Sequence, residues 1–361
     1  MAYKKNISRR ISNACPPATY LLIPCIQVLD RLRGGEKHRE LQTVIDRYCT
    51  EEEKRNPAYL RRIKRDMWYS LLRYYCPFNE YFMFAFPRLT HRGRQEFVTE
   101  YELLDVGTRL APQEVRDVFG DKWNTYERFR QFYKRDVLRI DDSTALDDLA
   151  AFVAKHPRFI VKTRRGYGGH GVRCMDMTAQ APSPSPLREL LTQLQAEDVM
   201  LEEPIVQNEV MARPHPQSVN TIRCATFVKD GEVHFLFSHF RVGRGDKIVD
   251  NGSSGGLLAS VDMETGIVNT PGVTEYLFSA IVHPDTGQQI LGLRVPRWEE
   301  MKELSRQLAL TYPQQPYVGW DLALTDSGWV MVEGNHLCGF NGPQLATQRG
   351  IRSLLSQYFD L

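Results

Sequence analysis

Apolar side chains recur at helical spacing in the first third of the chain. In the clearest segment they are separated by three or four positions and fall on one helix face: Leu60, Ile63, Met67, Trp68, Leu71, Leu72 and Tyr75. Arginines and lysines occupy the other side, which is the usual pattern of a solvated surface helix. We therefore predict a mostly helical N-terminal region.

An apolar stretch from Ala18 to Leu29 follows a basic segment that contains Lys4, Lys5, Arg9 and Arg10. Prolines interrupt this stretch, and charged residues follow it where a secretory signal would carry a small-residue cleavage site. We expect a buried N-terminal helix, with a membrane-surface segment as the alternative. No apolar run approaches the length of a membrane span, so no transmembrane segment is expected.

Short β-rich runs separated by turn residues replace the helical pattern from residue 158 onward. Strands are indicated at 159–162 and 171–176, and three hairpins are indicated at 221–229 with 233–242, 257–261 with 267–269, and 318–324 with 329–333. The turn Asp230-Gly231 is a strong hairpin signal. Helices are predicted over 187–195, 298–310 and 345–358. Hairpins mixed with helices predict an α+β fold whose catalytic region has two lobes.

Composition and charge narrow the function classes. The 361 residues are 42% hydrophobic and 25% charged, which is typical of a soluble globular protein. The formal net charge of +2 is too balanced to predict nucleic-acid binding. The seven cysteines form no CxxC pair and no zinc spacing, which suits reduced thiols in the cytoplasm.

A glycine-rich loop connects the predicted strands at 159–162 and 171–176. Gly166, Gly168, Gly169 and Gly171 allow backbone N–H groups to approach an anion closely, and Lys162 adds positive charge. The loop is neither a Walker loop nor a dinucleotide fingerprint, because a strand rather than a helix follows it. It predicts a phosphate-binding loop, with a glycine-rich hairpin that binds no ligand as the alternative.

Two carboxylates and an amide are predicted to converge at the ends of the last hairpin. Asp321 ends one apolar run and Glu333 ends the next, while Asn335 points to the same side as Glu333 on extended backbone. Such an oxygen set suits Mg²⁺ that bridges phosphates. The alternative is that these polar residues only bond their own turn. Cys338 lies beside this predicted metal site.

Arg223 and Arg241 lie on the central predicted hairpin. Each can present a planar fork of N–H groups to phosphate or carboxylate oxygens. Taken singly, each is typical of a surface salt bridge; together with the glycine-rich loop and the carboxylates they indicate a site.

The order of these motifs along the chain resembles that of a known family. Lys122 comes first, then the glycine-rich loop, a hinge at Leu201–Ile205, the arginine-bearing hairpin, and the Asp321, Glu333 and Asn335 set. This order, over residues 118–345, resembles the ATP-grasp superfamily. The segments 219–223, 249–256, 283–287 and 318–335 are most similar to the sugar-transfer-associated ATP-grasp family, whose genes tend to sit with polysaccharide-assembly genes.

The resemblance implies a role for each motif. Lys122 and Lys162 would hold phosphates of ATP, and the glycine-rich loop would close over them. Glu202, Glu203 and Ile205 would contact adenine, partly through backbone groups, since Pro204 lacks an N–H donor. Arg223 and Arg241 would stabilise the transferring phosphoryl group. Asp321, Glu333 and Asn335 would ligate Mg²⁺, and Asn251, Gly255 and Gly256 would contribute to the acceptor pocket.

The resemblance also implies a domain plan and a reaction. Residues 1–117 would form a helical region, 118–207 the nucleotide-binding lobe and 208–361 the catalytic lobe. We expect a ligase that uses Mg-ATP to join small-molecule carboxylates and amines, possibly sugar-linked, through an acyl phosphate, in polysaccharide or cell-envelope glycan biosynthesis. The alternatives are a kinase on the same scaffold and a non-catalytic nucleotide-binding assembly protein. A kinase needs a base, which Asp246, Asp250 or Asp262 could supply by folding inward.

Overall fold

The computed structural model describes residues 18–166, 168–169, 171–178 and 184–361. Within them the chain forms two compact units. The first comprises the chain up to Leu110 together with Glu275–Phe278 and Gly339–Leu361, and the second comprises Ala111–Thr274 and Ser279–Cys338. The three-part division predicted from the sequence, at 117 and 207, stays a prediction.

The first unit is helical, as the sequence predicts. Its helices up to residue 110 are α1 Ala18–Leu32, α2 Glu36–Tyr48, α3 Glu51–Arg55, α4 Pro57–Tyr74, α5 Phe78–Met83, α6 His91–Gln95 and α7 Glu100–Leu110, with a 3-10 turn at Phe86–Arg88. Asn56 caps the start of α4, because its side-chain oxygen accepts hydrogen bonds from the backbone of Ala58 and Tyr59. The apolar face of α4 is buried at Ile63, Met67 and Trp68.

The expected buried N-terminal helix forms only in part. Helix α1 covers the predicted stretch, and Thr19 and Ile23 are buried. Leu21, Val28 and Leu32 on the same helix are exposed. The expectation of a buried helix is therefore wrong for one of its two faces, because the neighbouring helices cover only the other.

The prediction of a single helix over 345–358 is also wrong. The structure has two short helices here, Asn341–Thr347 and Arg352–Leu355, separated where Gln348 adopts a left-handed conformation. Gly350 lies so close to the Glu96 backbone that a Cβ atom would approach it to 2.2 Å. The Arg352 N–H donates a 2.9 Å hydrogen bond to the Glu96 carbonyl. Tertiary packing thus overrides the local helical pattern.

The second unit contains two antiparallel sheets. The strands are β1 Val137–Arg139, β2 Arg158–Thr163, β3 Val172–Asp176, β4 Val199–Glu202, β5 Thr221–Lys229, β6 Glu232–Val242, β7 Leu257–Val261, β8 Gly272–Val273, β9 Ser279–Ala280, β10 Tyr317–Thr325 and β11 Gly328–Asn335. The four-stranded sheet has the order β1-β4-β2-β3, and the seven-stranded sheet has the order β11-β10-β5-β6-β7-β8-β9. The predicted strand at 267–269 appears only as isolated bridges at Ile267 and Val268.

Helices of the second unit pack against these sheets. They are α8 Gln113–Phe119, α9 Lys122–Tyr133, α10 Leu146–Lys155, α11 Pro184–Ala196, α12 Glu209–Ala212 and α13 Trp298–Thr311, and the two helices after Cys338 become α14 and α15. One apolar core joins the seven-stranded sheet to α8, α9 and α13, and a second joins the four-stranded sheet to α10 and α11. The two separately packed sheets agree with the predicted pair of α+β lobes. No helix in the described part of the chain is long and apolar enough to cross a membrane.

Candidate functional site

A cleft in the second unit is lined by residues from both sheets. The four-stranded sheet contributes Lys162 and Glu202, and the seven-stranded sheet contributes Arg241, Asp321 and Glu333. Its described lining also includes residues of the glycine-rich loop, of the hinge and of the segment between β6 and β7: Gly166, Gly168, Gly169, Glu203, Ile205, Ile248, Val249, Asp250 and Asn251. Most of the residues predicted to bind phosphate, adenine and metal therefore meet in one place, whereas the described lining does not include Gly171, Arg223, Gly255, Gly256 and Asn335.

Lys122 is positioned by the start of helix α9. Asp121 caps this helix by accepting a 2.9 Å hydrogen bond from the Trp123 N–H, and it also pairs with Arg164 at 2.6 Å. The Lys122 N–H donates to the Arg164 carbonyl at 2.9 Å, which ties the helix to the end of β2. From this position the Lys122 ammonium reaches the Gly166 carbonyl at 2.8 Å.

The glycine-rich loop needs its glycines for two separate reasons. Gly166, Gly168, Gly169 and Gly171 all have positive φ, which disfavours residues with a Cβ atom. At Gly169 a Cβ atom would also come within 2.4 Å of the Asn251 amide nitrogen, and at Gly171 within 2.6 Å of the Thr163 methyl group. Tyr167 and His170 lie outside the described residues. The backbone of the loop can thus pack closely against neighbours and ligands.

Lys162 shares the buried carboxylate of Glu202 with an arginine that the sequence did not single out. The Lys162 ammonium donates to Glu202 at 2.9 Å, and Arg135 donates two hydrogen bonds at 2.9 and 2.7 Å. Burial raises the pKa of Glu202, but the two cations outweigh it and lower the pKa to about 2. Glu202 is therefore ionised at neutral pH, and it holds Lys162 at the floor of the cleft. No motif surrounds Arg135 that could have signalled this contact.

The hinge after β4 offers backbone groups to the cleft. The Glu203 N–H donates to the Asp136 carbonyl at 2.9 Å, so it is already engaged. Among the described residues, the Ile205 N–H makes no backbone hydrogen bond. Since Pro204 has no N–H, Ile205 is the donor that this part of the chain leaves for a ligand.

Asp321 is the most heavily bonded carboxylate of the site. It lies directly opposite Arg223 across β5 and β10, and two nitrogens of that guanidinium, Nε and Nη2, donate to it, Nη2 at 2.7 Å. Arg241 donates to the same carboxylate at 2.7 Å, and the Asn335 amide lies 3.4 Å away. Burial alone would raise the pKa of Asp321, but the two guanidinium groups hold it well below its usual range. Cys338 lies beside this group, with its sulfur 3.4 Å from Arg223.

Glu333 has a different electrostatic environment. It is the direct cross-strand partner of Asp321 on β11. Among the described residues no hydrogen bond engages its carboxylate, and Lys122 is 4.0 Å away. Burial and the charge of Asp321 raise the pKa of Glu333, although Lys122 and Lys162 oppose the shift. A divalent cation would relieve this repulsion, so the oxygen donors of Glu333, Asp321 and Asn335 fit Mg²⁺ chemically.

The sequence left the position of three aspartates open, and the structure distinguishes them. Asp250 folds inward, where it accepts hydrogen bonds from Thr221 and lies 3.1 Å from Arg241. Burial raises its pKa, and the charge of Arg241 opposes the shift. Asp246 is exposed, and Asp262 accepts hydrogen bonds from its own turn at Thr265.

No histidine is part of the described lining of the cleft. His239 lies opposite Arg223 on β6, where burial and the two arginines lower its pKa to about 3. His336 packs its ring 5.9 Å from that of Phe119 instead of facing the carboxylates. The predicted acceptor residues sit nearby: Arg241 donates to the Asn251 side chain, and Gly256 donates to the Asn251 carbonyl at 3.1 Å. Gly255 has a φ of 89° in the same turn.

Comparison with known proteins assigns the family. The sequence profile described as sugar-transfer associated ATP-grasp matches residues 108–359, which is more than half of the chain. The protein therefore belongs to the sugar-transfer-associated ATP-grasp family, and the predicted ATP-grasp fold is confirmed. A comparison with curated proteins finds no match.

Solved structures with distant similarity are synthetases and ligases by name. D-alanyl-alanine synthetase A from Vibrio cholerae O1 biovar eltor is 11% identical, with 68% of this chain and 65% of that chain covered and a TM-score of 0.41. N5-carboxyaminoimidazole synthetase from Staphylococcus aureus is 12% identical, with 64% of this chain and 48% of that chain covered and a TM-score of 0.38. D-alanine–D-alanine ligase from Coxiella burnetii is 12% identical, with 67% of this chain and 57% of that chain covered and a TM-score of 0.38. The chain thus spans less than two thirds of the length of these proteins, and the family assignment rests on the profile match.

Proposed function

We propose that this protein is a Mg-ATP-dependent ligase that joins a carboxylate to an amine through an acyl phosphate. The observation that carries the proposal is the convergence, in one cleft, of Lys122, Lys162 and the glycine-rich loop with Asp321 and Glu333. Such a set of cations, backbone N–H groups and metal-binding oxygens suits the transfer of a phosphoryl group, which depends mainly on positioning and charge neutralisation.

The reaction needs little from the protein besides these groups. A substrate carboxylate is already ionised at neutral pH, so one of its oxygens can attack the terminal phosphorus of ATP, and ADP leaves. The amine then attacks the acyl carbon, loses a proton, and inorganic phosphate leaves. The described lining of the cleft contains no serine, cysteine or histidine, in agreement with a mechanism that uses no protein nucleophile.

Each group of the cleft has a place in this scheme. Lys122, Lys162 and the loop would bind the phosphates of ATP, and Ile205 with Glu202 and Glu203 would form the adenine hinge. Arg223 and Arg241 would face the phosphoryl group in transfer, where charge develops. Asp321, Glu333 and Asn335 would hold Mg²⁺, which supplies charge neutralisation at the phosphates. Asn251, Gly255 and Gly256 would border the acceptor.

The biological setting is part of the proposal. The family description associates such proteins with sugar transfer, which supports substrates in polysaccharide or cell-envelope glycan biosynthesis. The cytoplasm is the compartment we propose, since ATP is available there. None of the six described cysteines forms a disulfide, as expected in a reducing compartment.

A kinase is the second candidate, because Asp250 places a buried carboxylate in the cleft. A kinase usually needs such a group to accept the hydroxyl proton. In this structure Asp250 is engaged by Thr221 and Arg241, so its oxygens are committed to positioning contacts. This commitment favours the ligase.

An isotope experiment separates these candidates. Purified protein is screened with ATP and Mg²⁺ against amino acids and uronic or sialic acid sugars, and the active carboxylate is then labelled with oxygen-18. A ligase transfers one labelled oxygen to the released phosphate, and hydroxylamine intercepts the acyl phosphate as a hydroxamate. A stable phosphorylated product without labelled phosphate would establish the kinase. Nucleotide binding without turnover across the screen would favour the non-catalytic assembly protein.

A further inference from the structure

Helix α1 presents an apolar face that no described part of its unit covers. The most exposed side chains on this face are Leu21 and Leu32, which are 77% and 78% exposed, and Val28 and Leu29, at 54% and 49%. With Cys25, these residues occupy about a third of the helix circumference. A contiguous exposed face of this kind indicates an interaction surface, because isolated surface leucines would be scattered around the helix.

The opposite face of α1 is held firmly in place. Thr19 and Ile23 are buried there, and the Tyr20 ring stacks on Tyr69 of α4 with centroids 4.5 Å apart. At the C-terminal end, the Asp30 carboxylate accepts hydrogen bonds from the backbone N–H groups of Lys37 and His38, each at 3.1 Å. The helix is thus docked on one side, and the apolar residues point away from the docked side.

The charges around the apolar face have one sign. Arg31 lies roughly 100° from its centre, Arg33 follows the last residue of the helix, and both are exposed. Arg65 from α4 lies over the Tyr20 ring, 5.2 Å from its centroid, on the same flank as Arg31. Asp30 is the one carboxylate on α1, and it is engaged by His38 as well as by the backbone. Residues 1–17 add four basic residues and no acidic residue to the sequence beside α1.

We propose that α1 is an interfacial helix that docks this protein on an anionic lipid bilayer. Aliphatic side chains on one face, with arginines along its borders, are the composition of helices that lie in the plane of a membrane surface. Arginines at the border pair with lipid phosphates while the leucines enter the acyl boundary. A protein partner fits less well, since the exposed face itself consists of aliphatic side chains and Cys25, without the tryptophan or tyrosine anchors that dominate protein interfaces; Tyr20, the tyrosine of α1, lies on its border beneath Arg65.

Vesicle flotation of the full chain tests this proposal. We expect the protein to float with vesicles that contain equal parts of phosphatidylcholine and phosphatidylglycerol, and to float much less with phosphatidylcholine alone. Leu21→Gln combined with Leu32→Gln should lower the partition coefficient at least about tenfold, because two inserted aliphatic groups are lost. Arg31→Gln and Arg33→Gln should each lower it about fivefold, and added salt should weaken the wild type.

Matched controls come from exposed residues far away in the sequence. Leu310→Gln on α13 removes a leucine that is 46% exposed, and Arg188→Gln on α11 removes an exposed arginine. Neither should change flotation. Melting temperatures verify that the α1 variants are folded, as their high exposure leads us to expect.

Three results would overturn the proposal. One is failure of the folded wild type to float with either vesicle, and a second is equal flotation of the wild type and the Leu21→Gln, Leu32→Gln variant. The third is self-association, measured by sedimentation, that the same variant abolishes while vesicles bind neither protein. That result would show that a second copy of the chain covers the face.

Discussion

Asp321 and Glu333 face each other directly across β10 and β11, yet the protein neutralises only the first. Asp321 is bonded by two guanidinium groups, whereas the closest cation to Glu333 is Lys122 at 4.0 Å. The charge of Asp321 is thus balanced within the protein, whereas the carboxylate of Glu333 still needs a counterion.

Magnesium dependence should reside in Glu333. Mg-ATP at ~100 times its dissociation constant should stabilise the wild type by about 2.7 kcal/mol. Glu333→Gln keeps the side-chain size but removes the charge, so the part of this stabilisation that requires Mg²⁺ should disappear while the fold survives. Differential scanning calorimetry with ATP, with and without Mg²⁺, measures this part. Glu264→Gln, in an exposed turn, is the control; an unchanged Mg²⁺ response in Glu333→Gln would remove that residue from the metal site.

Phosphate binding should depend on Lys162 and not on general positive charge. Lys162→Ala removes the ammonium that Glu202 holds in the cleft, and we expect ATP affinity to fall at least about tenfold, a loss of about 1.4 kcal/mol. Arg61→Ala, on the exposed face of α4, should leave the affinity unchanged. Isothermal titration with Mg-ATP compares the two variants. Equal losses would mean that a diffuse electrostatic field had been mistaken for a site.

The close contact at Gly169 should be required for nucleotide binding. Gly169→Ala adds a Cβ atom 2.4 Å from the Asn251 side chain at a φ of 73°, so the loop must shift. Gly231→Ala, at a φ of 81° with no atom within 4 Å, has the conformational cost without the clash. Gly231→Ala should lose about 1–2 kcal/mol of stability from the left-handed backbone alone and Gly169→Ala should lose more, but only Gly169→Ala should lose ATP affinity. Similar affinities for the two would show that the loop packing is irrelevant to the ligand.

The buried Glu202 network should make stability depend on acid pH. The pKa of Glu202 in the folded protein, about 2, lies below its ordinary value of 4.5. The contribution of Glu202 to the free energy of unfolding is therefore complete above about pH 4.5 and is lost as the pH falls toward 2. Glu202→Gln leaves two cations without their anion and should cost about 3–5 kcal/mol at neutral pH. Urea unfolding at several pH values should show this difference narrowing below pH 4.5. A difference that stays constant down to pH 2 would contradict the assigned ion pairs.

Local sequence patterns predicted the elements of the site well, because hairpins and glycine loops are encoded within a few residues. Asp230-Gly231 fixed the turn between β5 and β6, and the spacing of Asp321 and Glu333 placed them opposite each other as expected. Their roles as metal ligands, and those of the arginines, remain predictions. Contacts between distant segments were invisible: nothing near Arg135 signals its pairing with Glu202, and nothing near Gln348 signals the break that packing against Glu96 imposes on the last helix.

The cations proposed to hold phosphate are already partnered within the protein, Lys162 with Glu202 and both arginines with Asp321. Nucleotide binding at this cleft would then be an exchange of counterions, in which phosphate oxygens compete with carboxylates for the same N–H donors. Such competition should make ATP without a metal a poor ligand, because its negative charge would add to that of the displaced carboxylates. A divalent cation that draws Asp321 and Glu333 toward itself would free Arg223 and Arg241 for phosphate. Metal and nucleotide should therefore bind with positive cooperativity.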